Sequence, residues 1–223
     1  RCGCEHQKIF GVHLNNKPIR FLEIDDATRE NHSRLLQDDT CLYLYEKTSH
    51  RDYSFSDTNN LISNLKKPVT SSAAVLRHKE GAIGDCARAL REALNVKWLN
   101  LATLVPIPPS KTRIDDDFDD RMERICAMIH QGQDVRNLVV QNVTMVANHA
   151  RGTDDRVTVQ ELLDVYEIDE GLADPEPTHI GIVDDMLTAG THYRAMHNIL
   201  SQRFPTAKIV GLFIARRIFP DDD

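Results

Sequence analysis

The stretch His179-Ile180-Gly181-Ile182-Val183-Asp184-Asp185-Met186-Leu187-Thr188-Ala189-Gly190-Thr191 decides how this chain is read. Its first five residues form a compact, mostly apolar run, the signature of a strand buried on both faces. Two adjacent carboxylates, Asp184 and Asp185, stand at the end of that run, followed by small and hydroxyl-bearing residues. A helix comes next, with Ala195, Met196, Ile199 and Leu200 on one face and a stop near Phe204-Pro205. Ligands of open α/β sheets bind beyond the carboxyl ends of strands. The first N–H groups of a helix suit a phosphate, Thr188 and Thr191 add hydroxyl donors, and Gly190 admits a close backbone approach. The carboxylates repel a phosphate and suit the hydroxyls of a sugar instead.

Outward from this stretch, residues 209–214 supply a returning apolar strand. Upstream, Ile83, Cys86, Leu90 and Leu94 recur at helical spacing, and residues 101–107 form an apolar run stopped by Pro106, Pro108 and Pro109. Phe118, Met122, Ile125 and Met128 predict a further helix, residues 137–146 a further strand region, and a polar stretch follows from Asn148 to Arg156. The alternation predicts an α/β domain over residues 71–223, with a parallel sheet covered by helices on both faces. Residues 1–70 read differently. Short alternations predict strands at 8–14, 19–24 and 41–45, with a turn over 15–18. Ser56 is placed to cap a helix through Leu61, Ile62 and Leu65, ended by Lys67-Pro68. These residues are expected to form a small β-rich N-terminal lobe or hood-like extension.

The 223 residues are 41% hydrophobic and 27% charged, which excludes fibrous and wholly disordered classes. With 34 acids against 27 bases the formal charge is −7, so a non-specific grip on nucleic acid is not expected. No run approaches the roughly 20 apolar residues of a membrane span, and no apolar secretory core follows Arg1-Cys2-Gly3-Cys4. The five cysteines are scattered and read as reduced thiols, which sets the expectation of a cytoplasmic protein. Cys2, Cys4 and His6 match no common zinc spacing. A Walker-type loop is excluded because no Gly-Lys-Ser/Thr occurs, and a phosphatase Asp-x-Asp pattern because position 186 is Met.

The acid-tipped loop, Val183-Asp184-Asp185-Met186-Leu187-Thr188-Ala189-Gly190-Thr191, resembles the defining loop of the type I phosphoribosyltransferases. Ala189 stands where that family often has Thr. A second segment, Val105-Pro106-Ile107-Pro108-Pro109-Ser110-Lys111-Thr112-Arg113, looks like the pyrophosphate loop of its ComF-like branch. The resemblance covers about residues 75–217. It departs from that branch at the acidic cluster Asp115–Asp120, read as a solvated helix start, and in lacking a four-cysteine ribbon. The resemblance implies a phosphoribosyltransferase-like, Rossmann-like core. It implies binding of phosphoribosyl pyrophosphate with Mg²⁺ carried by the pyrophosphate, and transfer of the 5-phosphoribosyl group to an acceptor nitrogen, a nucleobase or another. Asp184 and Asp185 would hold the ribose hydroxyls, and Met186, Leu187, Thr188, Ala189, Gly190 and Thr191 would carry the ribose 5-phosphate. Ser110, Lys111 and Arg113 would meet the pyrophosphate, with Lys111 serving catalysis alongside the two acids. Arg151 and Arg156 would close over the leaving group, and His192, directly after the loop, is a ligand contact or a surface histidine. The alternative is a non-catalytic nucleotide- or phosphoribosyl-binding regulatory or effector subunit linked to DNA uptake, repair or defence. A protein partner or a homodimer is compatible with either.

Overall fold

The computed structural model describes residues 18–143 and 157–220. Seven strands occur among them: β1 (Leu22–Glu23), β2 (Cys41–Thr48), β3 (Ala102–Pro106), β4 (Val139–Gln141), β5 (Tyr166–Ile168), β6 (His179–Leu187) and β7 (Lys208–Ile218). Five make one sheet in the order β1-β2-β7-β6-β3, parallel throughout except for the short edge strand β1. β4 and β5 form a separate antiparallel ribbon.

The described helices are α1 (Asp26–Arg29), α2 (Asp57–Leu65), α3 (Ala73–Ala93), α4 (Val96–Leu99), α5 (Arg121–Ile129), α6 (Val159–Leu163) and α7 (Thr191–Arg203). Side chains alternate across a strand, so the sheet feeds two cores. On one side Tyr193, Met196 and Leu200 of α7 pack on Ile180, Ile182 and Phe213. On the other, Ile62 and Leu65 of α2, Ile83, Cys86 and Leu90 of α3, and Met122 and Ile125 of α5 pack on Leu104, Val183, Leu212 and Ile214. The expected α/β architecture with helices on both faces is present. Cys41, Cys86 and Cys126 are buried free thiols. No helix among the described residues is long and apolar enough to cross a membrane.

The chain reverses direction beside β3. After α5 it runs outward past the β3 edge, where Val135 makes a parallel bridge to Leu104. Leu104 N–H donates to Asp134 O at 2.8 Å and Arg136 N–H to Leu104 O at 3.0 Å. It then returns across the sheet to β6, on the inner side of β3. A crevice opens at such a reversal, outside the carboxyl ends of the two strands involved. Both loops singled out in the sequence leave from those ends.

Several expectations change. Of the two readings of residues 1–70, residues 41–65 follow that of an extension packed on the main domain rather than a lobe of its own: β2 lies parallel to β7 from Cys41↔Gly211 to Thr48↔Ile218, and α2 packs on the main sheet. A boundary at residue 70 therefore does not coincide with a break in the sheet. β7 would otherwise present an open apolar edge, which β2 closes. Of the strand expected at 19–24 only Leu22–Glu23 pairs. The strand at 8–14 and residues 15–17 of the turn lie outside the described residues. The strand region at 137–146 shortens to β4 and joins the ribbon rather than the parallel sheet. In α5, Met128 is exposed and Cys126 and Ile129 take the buried face.

Candidate functional site

β6 carries its hydrogen-bonded pairing with β7 through both acids to Leu187↔Arg216. The turn over residues 188–190 then swings the chain into α7. Gly190 makes this possible: its φ of +89° is a backbone conformation that side-chain-bearing residues rarely adopt. It is the N-cap of α7 and offers no capping side chain, so the first amides of the helix remain available. Thr188 is exposed, Ala189 and Thr191 half-buried, and Leu187 is a core residue at 1% exposure.

The two acids part company. Asp184 is half-buried and lines a small cavity of about 10 Å³ with Met186, Leu187, Thr188, Gly190, Thr191, His192, Tyr193 and Phe213. Its Oδ1 accepts the N–H of Asp185 at 2.7 Å. Burial and the neighbouring Asp185 charge push its carboxyl well above the usual range. Asp185 is buried and meets cations on both oxygens. Lys66 Nζ stands 2.9 Å from Oδ1, and Arg121 donates to Oδ2 from Nε at 3.1 Å and from Nη2 at 2.7 Å. Burial alone would raise the Asp185 carboxyl; Lys66 and Arg121 outweigh it and hold the group low. Arg121 Nη1 also donates to Asp119 Oδ2 at 2.6 Å. Asp119 in turn accepts from Lys79 Nζ at 2.6 Å. Lys66, Asp185, Arg121, Asp119 and Lys79 thus alternate in sign, three cations holding two carboxylates.

On the other side of the turn, His192 Nδ1 lies 3.0 Å from Tyr166 Oη, which ties the start of α7 to the ribbon. Burial, with Lys66 adding to it, pushes His192 down to about 4, so the ring is neutral near pH 7. The histidine lines the small cavity beneath the loop.

The second loop leaves β3 beside these groups. Ile107 N–H donates to Val183 O at 3.0 Å, which locks its start to β6 just ahead of the acids. Ser110 O accepts from Gln141 Nε2 at 2.8 Å. Lys111 Nζ lies 3.6 Å from Asp115, and Arg113 pairs with Glu123 at 2.6 Å while covering the Phe118 ring. Between this loop, the start of α5 and β4 is a cavity of about 220 Å³. Lys111, Arg113 and Phe118 reach it from the loop, and Asn137, Val139 and Gln141 from the far wall.

The sequence-selected residues therefore gather at one end of the sheet, but not around one cavity. Asp184, Thr188, Gly190 and Thr191 line the small cavity, and Lys111 and Arg113 line the larger one. Asp185 is held in the ionic chain. Arg151 and Arg156 lie outside the described residues. Sequence reasoning missed Lys66, Lys79 and Arg121. Arg121 and Asp185 are 64 residues apart and share no periodic signal. The acidic cluster is not simply a solvated helix start, because Asp119 is an internal partner of Lys79 and Arg121. Among the described residues no group of three His, Cys, Asp or Glu side chains is arranged to hold a metal. Comparison of the sequence with known protein families and with curated proteins finds no match.

Proposed function

We infer that the protein binds a phosphoribosyl ligand at the β6–α7 turn, in the manner of a phosphoribosyltransferase. The observation that carries this reading is the placement of an acid-tipped strand, its Gly190 turn and the 107–113 loop together at the reversal point of the sheet. In this reading the amides at the start of α7, with Thr188 and Thr191, receive a 5-phosphate. Asp184 accepts from the ribose hydroxyls. Each carboxylate oxygen has two acceptor sites, so Asp185 can accept a further hydroxyl while Arg121 keeps it in place. Phosphoribosyl pyrophosphate is the expected donor, and Mg²⁺ enters with it as part of the ligand. Transfer breaks the bond from the anomeric carbon to a pyrophosphate oxygen, and the electron pair leaves with pyrophosphate. An acceptor nitrogen forms the new bond and gives up its proton. The chain's part in this is positioning and charge stabilisation, with Lys111 assigned to the leaving group.

One observation favours a second reading, in which the ligand is bound but not turned over. Lys111 and Arg113 are each neutralised by a carboxylate neighbour, Asp115 and Glu123. They are the cations of the 107–113 loop expected to stabilise a departing pyrophosphate. Incubation with phosphoribosyl pyrophosphate, Mg²⁺ and a panel of nucleobases separates the readings. Pyrophosphate release supports transfer. Calorimetric binding without release supports the regulatory reading. Absence of binding to phosphoribosyl pyrophosphate and ribose 5-phosphate overturns both.

A further inference from the structure

The turn that carries the proposed phosphate site is braced from outside. Residues 32–35, far away in sequence, lie against it. The His32 ring contacts Thr188 O through Nδ1, and Arg34 N–H donates to Ala189 O at 2.9 Å. Leu35 packs on Gly190 so closely that a methyl group there would come within 3.0 Å of Leu35 Cδ2. The segment is anchored in turn by α7: Arg194 Nε donates to Arg34 O at 3.1 Å, and the Arg194 guanidinium pairs with buried Asp39. Asp39 also accepts from Leu36 N–H at 2.6 Å.

These contacts have a directional consequence. The only cis peptide among the described residues is Asp174-Pro175, so the bonds joining 188 to 189 and 189 to 190 are trans. In a trans peptide the C=O and the following N–H point in opposite directions. Holding the carbonyls of Thr188 and Ala189 toward residues 32–35 therefore turns the N–H groups of Ala189 and Gly190 away from them. Neither N–H has an acceptor among the described residues. A carbonyl is only an acceptor, so the His32 contact requires the proton on Nδ1. Nε2 then carries a bare lone pair, and this atom is buried without a partner. His32 itself is wholly buried. The ring thus makes its hydrogen bond to Thr188 O while its other nitrogen is left without one.

We propose that residues 32–35 are a positioning strap for the β6–α7 turn and that His32 is its determining residue. His32 fixes the peptide planes of the turn so that their N–H groups are presented to an anionic phosphate ester before it arrives. This rests on reading the turn as a phosphate cradle, and His32 acts through the turn without touching the ligand.

The test compares His32→Ala, His32→Asn and His32→Gln in the full chain. Asparagine places an N–H where Nδ1 stands; glutamine places it where Nε2 stands. Hydrogen exchange of the 186–192 segment is measured first, without ligand, and ribose 5-phosphate affinity second. His32→Ala and His32→Gln are expected to speed exchange in that segment, and His32→Asn to restore it. Affinity should fall about tenfold in His32→Ala, the equivalent of one lost hydrogen bond, and return in His32→Asn. Unchanged exchange in His32→Ala overturns the strap whatever the ligand does. So does an affinity loss shared equally by all three variants and paralleled by their melting temperatures. If the exchange pattern appears as expected while the wild type binds no ribose 5-phosphate, the strap stands as the clamp of the turn and the phosphate reading falls.

Discussion

Asp184 and Asp185 are adjacent in sequence, yet their replacement by asparagine should have opposite effects on stability. Asp185→Asn removes a carboxylate whose side chain is 3% exposed and which answers two cations. Lys66 is 44% exposed, so its share is screened by water and contributes under about 1 kcal/mol. Arg121 is 20% exposed and donates twice, and its share is about 2 kcal/mol. Asparagine still accepts one of those bonds, so the net loss is about 2 kcal/mol. At about 2–4 °C per kcal/mol for a chain of this size, the melting temperature falls by about 4–8 °C. Asp184 has the opposite sign. Its folded-state carboxyl is raised above the unfolded 3.8, so its stabilising contribution is present below that value and lost as pH rises. Near pH 7 the ionised group opposes folding, and Asp184→Asn relieves this while keeping an oxygen for the Asp185 N–H. Its melting temperature should equal or exceed the wild type's. Scanning calorimetry at pH 7.5 decides the matter. Equal losses for the two variants, or a larger loss for Asp184→Asn, would refute the division of labour between the acids.

Other outcomes follow from the same groups. Lys79 is 2% exposed and its Nζ donates to Leu65 O, Lys67 O and Asp119, so Lys79→Ala should lose about 3 kcal/mol in urea unfolding; a loss under about 1 kcal/mol contradicts an internal ionic chain. Gly190→Ala forces a methyl group onto a left-handed backbone and against Leu35, lowering stability by about 1–2 kcal/mol, and a melting temperature equal to the wild type's counts against that geometry. Burial holds His32, His192 and His197 below the ordinary imidazole value of 6.5, with His192 at about 4. The unfolded chain therefore takes protons first as pH falls. Stability should be fully present above 6.5 and decline toward pH 4, by up to about 1.4 kcal/mol per pH unit for each group. Asp184 titrates in the opposing sense, so the profile is cleanest in Asp184→Asn, where a flat curve would refute the burial of these rings.

Elements that declare themselves locally were legible in the sequence. Ser56 caps α2 as expected, its Oγ accepting from Asn59 N–H at 3.1 Å. β6 could be read because an apolar run ends in charge, and the start of α7 because a glycine stands between two threonines in the turn that follows. β3 could be read because prolines cut its run short. Pairing could not be read in the same way. Residues 41–45 have the same pattern whether they join a small separate sheet or close the edge of β7. The choice depends on which edge is open, a property of the assembled sheet. A strand was expected around β4, but β5 and the ribbon that the two form could not be read, for a related reason. Each strand has only three residues, too few for alternation to register against the surrounding chain.

The site was legible as a list of residues but not as an electrostatic object. Two acids in succession invite the inference that they act as a pair, because charge and spacing are all that a sequence displays. In the strand their surroundings differ, since consecutive side chains leave a strand on opposite faces. Asp184 enters the side of α7 and the Tyr166–His192 contact, while Asp185 enters the side of α2 and α5, where Lys66 and Arg121 await it. An acid already holding two cations is a poor independent ligand and a good rigid support. The free energy of those ion pairs depends on Asp185 staying where it is. Asp184, which among the described residues accepts only the Asp185 N–H and meets no cation at hydrogen-bond distance, is held far less firmly.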